Sequence, residues 1–170
     1  MFSNDNSLSG KIYDTLKITN GNVVSFLEDD DLFTSNKLEI VFNLFKNENA
    51  CYYHNASEIV DKFGHSLNIK NTDPYFNSSS ISIRKDIIYR DIIKEIPKGV
   101  NTVLYINALD SGKEIVNGYE ALTYYRAHKS ETHFTGSLEE IASSDLNLAK
   151  LAVASFEILY KRLINKNRKQ

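Results

Sequence analysis

The chain has 170 residues, 42% hydrophobic and 25% charged, the size and composition of one ordinary globular domain, which excludes wholesale disorder. Its single cysteine, Cys51, excludes an internal disulfide and fits a reducing compartment, and no run approaches the roughly 18 consecutive apolar residues of a membrane span. The net charge of −2 conceals segregation: residues 1–36 carry a net −4, whereas residues 158–170 carry a net +5 and no acid.

Residues 3–7 are polar, unlike a secretory signal, and residues 1–9 read as a flexible N-terminal arm with Phe2 and Leu8 as its apolar anchors. Ile12, Leu16 and Ile18 alternate with Lys11, Thr15 and Lys17, predicting a strand. Asn20-Gly21 would then turn a hairpin whose return strand is Val23 to Leu27. Glu28-Asp29-Asp30-Asp31 reads as an acidic surface loop. It lacks the turn glycine and alternating acids of a calcium loop, which leaves a solvated or protein-docking patch.

Leu38, Ile40, Phe42 and Leu44 alternate as a second strand. Asn55 with Glu58 resembles a capping box, predicting a short helix through Ile59, Val60 and Phe63 to Gly64. The isoleucine-rich stretch 81–93 reads as a strand with an irregularity near Lys85-Asp86. Val100, Thr102, Leu104, Ile106 and Ala108 read as another strand, launched by Pro97-Lys98-Gly99, and Asn117-Gly118 turns into a last strand, Tyr119–Arg126.

Ser137 with Glu140 again spells a capping box for a short helix, and Asp145 reads as the cap of one strong helix to about Ile164. In it Ala149, Ala152, Phe156, Leu159 and Leu163 form a helical stripe expected in the core. These elements predict a single α+β domain over residues 10–165, with a mainly antiparallel sheet, a short helix in the middle and a long C-terminal helix, followed by a basic tail, 166–170.

No phosphate-cradling glycine loop, G-x-S-x-G, H-E-x-x-H or C-x-x-C occurs. His128 and His133 bracket Glu131, and Cys51 precedes His54 by three residues. The first trio lacks a fourth ligand at any recognisable spacing, and Cys51 reads as a structural buried thiol. The chain is therefore expected to be no enzyme and to take no cofactor or metal. Lys161, Arg162, Lys166, Arg168 and Lys169 offer contact to an anionic partner, although cations also suit a helix C-terminus. In Tyr52-Tyr53 and Tyr124-Tyr125 strand alternation sends one ring to each face. Tyr52 and Tyr125 thereby join Asp29, Asp30 and Asp31 as candidate protein contacts.

Three segments in order carry a resemblance. They are Lys37–Lys46 with Tyr53 and the stretch Ala56–Phe63 leading to Asp73-Pro-Tyr-Phe76; Pro97–Ile106 with Asp110 and Tyr124-Tyr125; and Ser143-Ser144 leading to Lys161-Arg162. In pattern and spacing, over roughly residues 37–165, they resemble the globular part of rhabdovirus matrix proteins. The resemblance implies a viral structural protein that self-associates through an N-terminal segment, binds and condenses the nucleocapsid, and tethers it peripherally to a membrane's inner face. It allows a viral glycoprotein tail as a further partner, and places the protein in the host cytoplasm and the virion. The chain has neither a Lys-rich N-terminal tail nor Pro-Pro-x-Tyr, and its pI is about 6.1, so a plant-infecting branch is the closer fit. The alternative is an intracellular immunity-type inhibitor that docks a basic partner through the acidic loop.

Overall fold

A computed structural model describes residues 7–127 and 137–167. The chain is α+β, and its contacts divide it into two compact units, each built from several separate stretches of sequence.

Among the described residues the sheet unit comprises 20–88 and 104–127. Its strands are β1 (Val23–Ser25), β2 (Leu32–Phe33), β3 (Ala50–Val60), β4 (Ser66–Asn71), β5 (Ile81–Arg84) and β6 (Glu114–Arg126). They form one sheet in the order β1-β5-β3-β6-β2, with β4 also on β3. Every pairing is antiparallel except the long central one, β3 with β6, which is parallel. Helix α2 (Lys37–Leu44) lies between β2 and β3 in the chain. Val41, Phe45, Tyr53 and Leu122 make a core cluster there.

Among the described residues the helical unit comprises 7–19, 89–103 and 137–167. It contains α1 (Leu8–Ile18), α3 (Arg90–Glu95), the first turn of α4 (Val100–Ser111) and α5 (Leu138–Asn167). Ser7 caps α1, accepting a hydrogen bond from Gly10 N at 3.0 Å. The capping box read at Ser137 is formed. Glu140 N donates to Ser137 Oγ at 3.3 Å, and Ser137 N donates to Glu140 Oε2 at 2.8 Å. It opens one thirty-residue helix, so Asp145 lies inside α5 and caps nothing.

Three expected strands are helices, each for the same reason. In α2 the buried row is Lys37, Val41 and Phe45, spaced by four, while Leu38 and Phe42 face outward. A lysine in the buried row broke the helical pattern and left the period-2 alternation as the louder signal. In α1 the buried row is Ser9, Ile12 and Leu16, again with a polar residue in it. In α4 it is Val100, Val103, Leu104, Asn107 and Ala108. The arm is shortened accordingly: Leu8 is the first residue of α1 and Ser9 is buried.

The reverse error occurred at 55–64. That segment is no helix; Asn55 and Glu58 belong to β3, which is buried at nine of its eleven positions and therefore shows no alternation. The middle of the chain does hold short helices, but they are α2 and α3. Asn117-Gly118 is no turn either, since both residues lie within β6, opposite His54 and Asn55. Gly118 is required there because a Cβ would stand 2.5 Å from the Tyr53 hydroxyl.

Candidate interaction surface

Two features stand out against an ordinary core and surface: a closed polar cluster in the sheet unit and an open apolar row on α5.

The polar cluster is centred on Lys37, whose side chain is fully buried. As the first residue of α2 it projects against β6 and the 3-10 turn Ser78–Ser80. Its Nζ donates to the Ser79 carbonyl and, at 3.1 Å, to Thr123 Oγ1, and sits 4.0 Å from the Phe33 ring centroid. Thr123 Oγ1 in turn donates to Ser79 O and accepts from Asn55 Nδ2, both at 3.0 Å. Burial lowers the Lys37 pKa to about 7, against a smaller opposing pull from Asp31. A neutral amine has two N–H donors, and both are used here. Ser57, Ser80 and Ser82 are also buried. With no atom of Lys37 reaching solvent, the cluster is a structural knot.

The acidic loop is partly drawn into the same unit. Asp31 is buried, accepting from Arg126 N at 3.1 Å and from Asn77 Nδ2 at 2.9 Å. Glu28 accepts from Ser78 Oγ, and burial raises its pKa. Oxygens of Glu28, Asp30 and Asp31 come within 4.8 Å of one another. The protein's own donors already engage Glu28 and Asp31. Of the expected docking acids Asp29 is exposed, Asp30 half-buried and Asp31 buried, because Asp31 ties the loop to Asn77 and the end of β6.

The tyrosine expectation is likewise corrected. Tyr52 is buried, its ring 5.6 Å edge-on from Tyr105 and its hydroxyl donating to Pro74 O. Tyr53 is buried in the Leu122 cluster, so neither ring of that pair is exposed: both faces of β3 are covered. Tyr125 is half-buried, with Phe76 edge-on at 5.1 Å. Cys51 and His54 have separate partners: Cys51 Sγ lies 3.4 Å from Ser111 Oγ, and His54 Nε2 lies 2.9 Å from Phe76 O. Burial lowers the His54 pKa, against a smaller raising effect of that bond.

The open feature is α5. Ser155 and Leu159 are buried on one face, where Ser155 Oγ accepts from Lys98 N at 3.2 Å. Turned away from that face, Leu146, Val153, Phe156 and Tyr160 are exposed, Phe156 by 47% and Tyr160 by 65%. The core stripe expected from sequence is therefore split: Leu159 is buried, Phe156 is not. Phe156 lies one residue, about 100°, from Ser155, and the face with the serine is the one turned inward.

At the basic end, Lys161 and Arg162 are exposed. Arg162 also lies 3.9 Å from Asp91 and stacks over Tyr89 at 5.8 Å. Lys166 is placed only as backbone, in the last turn of α5. Phe2, His128, Glu131, His133, Arg168 and Lys169 lie outside the described residues. Leu8 is half-exposed at the start of α1. Among the described residues, no helix is long and apolar enough to cross a membrane.

Sequence reasoning missed the Lys37 cluster and the outward row of α5. The second had a signal: Leu146, Ala149, Val153, Phe156 and Tyr160 are spaced by alternating threes and fours, the heptad repeat of a helix seam. Neither the protein-family models nor the curated proteins compared with this chain gave a match.

Proposed function

We propose that the chain is a non-enzymatic structural protein that self-associates, as the rhabdovirus matrix resemblance implies, and that engages an anionic partner, nucleocapsid or inner membrane face, with the end of α5. The observation that carries this reading is the apolar row on α5, whose aromatic side chains Phe156 and Tyr160 stand in solvent while a serine is buried behind them. An exposed apolar row on a structured helix is an interaction surface in want of a partner. Lys161 and Arg162 follow directly on the row, so one helix supplies both an apolar contact and a cationic one. The immunity-type alternative loses support, because its docking loop has Asp31 buried and Asp30 half-buried.

Light scattering across protein concentration at low and high salt tests the reading. The expected result is a mass that rises with concentration, together with salt-sensitive binding to anionic vesicles or ribonucleoprotein. A monomer at every concentration overturns it.

A further inference from the structure

We infer that the outward row of α5 pairs antiparallel with the same row of a second copy, across a two-fold axis between Val153 and Phe156. The inference rests on the self-association proposed above and supplies its geometry.

The spacing is the first argument. Leu146, Ala149, Val153, Phe156, Tyr160 and Leu163 occupy successive a and d positions of a heptad, the 3.5-residue period that keeps a seam facing a partner helix. At 1.5 Å per residue the seam is about 26 Å long. Leu146, Ala149, Val153, Phe156 and Tyr160 are exposed, and only Leu163 at the end is half-buried.

Side-chain volume chooses the direction. A parallel, in-register pair would set Ala149 against Ala149 and Tyr160 against Tyr160, one layer underfilled and another overfilled. The antiparallel pair sets Ala149 against Tyr160, Val153 against Phe156 and Leu146 against Leu163. Each layer then combines side chains that sum to a similar volume, as interdigitation requires.

Charge agrees. Lys150 and Glu157, seven residues apart, flank the row on one side and are exposed. Under the same two-fold axis, Lys150 of each copy meets Glu157 of the other, giving two exchanged ion pairs. The other flank, Ala152 and Leu159, is turned toward the helical unit, so the seam is open on one side only and fits one further helix. A single helix pair is a small interface, below about 1,200 Å², which corresponds to weak, concentration-dependent association.

The test is a charge exchange read by sedimentation velocity on the full chain. Lys150→Glu and Glu157→Lys each place two like-charged pairs in the antiparallel interface. Each is expected to weaken self-association about tenfold relative to the parent. An equimolar mixture of the two variants creates two attractive pairs and is expected to restore it. Parent-like association of Glu157→Lys alone, or a mixture no tighter than its components, overturns the antiparallel pairing while leaving self-association standing. A parent that stays monomeric removes both. A photo-crosslinking residue at Val153 should capture positions near Phe156 of a second copy. Capture of the same chain's residues 128–136 overturns the pairing by showing that the chain covers its own row.

Discussion

Helices α2 and α5 both run against ordinary expectation. The first buries a lysine completely and leaves Phe42 67% exposed; the second buries a serine and leaves Phe156 and Tyr160 in solvent. The difference lies in what each helix faces. Around α2, the Ser79 carbonyl and the Thr123 hydroxyl receive the Lys37 amine, so polar burial is compensated within the sheet unit. Behind α5, Ser155 Oγ accepts from Lys98 N and donates to the Leu151 carbonyl at 2.9 Å, which is equally satisfied. In α2 the outward group is chiefly Phe42 and Leu38, whereas in α5 it extends over about four turns and becomes a surface.

The sharpest way to break the comparison is to truncate one apolar side chain in each region. Leu122→Ala, in the Val41–Phe45–Tyr53 cluster, should cost about 3 kcal/mol in urea unfolding, from lost transfer energy and a residual cavity. Phe156→Ala should cost less, about 1–2 kcal/mol, at concentrations where the chain is monomeric, because half of its surface already stands in solvent. Comparable losses at both sites would show that α5 is covered.

A second measurement addresses Lys37. Its folded pKa, about 7, lies below the 10.5 of the free side chain. Between these values the unfolded chain binds more protons than the folded one, so stability rises as pH rises. Below about pH 7 the full penalty of the buried charge applies. The unfolding free energy from urea titration should therefore increase from pH 7 to pH 9.5, by something on the order of 2 kcal/mol. The range stops there because the buried Tyr52 hydroxyl, whose pKa is raised by burial, opposes the trend once the unfolded tyrosine ionises. Lys37→Met should flatten this dependence and stabilise the protein at pH 7. In that variant Thr123 Oγ1 still donates to Ser79 O and still accepts from Asn55. An unchanged pH slope would place the amine's partners elsewhere.

The smallest expected effect is at the α5 cap. Ser137→Ala removes the acceptor of Glu140 N and should cost about 1 kcal/mol. It should also release Glu140, whose carboxyl the Ser137 N–H and hydroxyl hold below the usual range, toward its ordinary pKa. NMR titration of that carboxyl reads the change directly.

Sequence alone determined several local features. The Ser137–Glu140 box started a helix where it stood, since both halves of the cap are within three residues of each other. Strands at Val23 and Tyr119 and the α+β class were also legible, as was a long basic-ended C-terminal helix, whereas of the strand expected over 81–93 only Ile81–Arg84 is strand and its end is helix α3. Tertiary structure decided the rest. Ile12 and Leu16, or Val100 and Leu104, satisfy a strand's alternation and a helix's four-residue spacing equally well, and only the neighbouring element selects which residues are buried. Strand β3 could not be read because burial on both faces erases alternation. Lys37 could not be read as interior because its partners, Ser79 and Thr123, are 42 and 86 residues away in the chain. The outward turn of α5 is of the same kind: the heptad is in the sequence, but which side of a two-sided helix meets the protein depends on where Lys98 stands to bond Ser155.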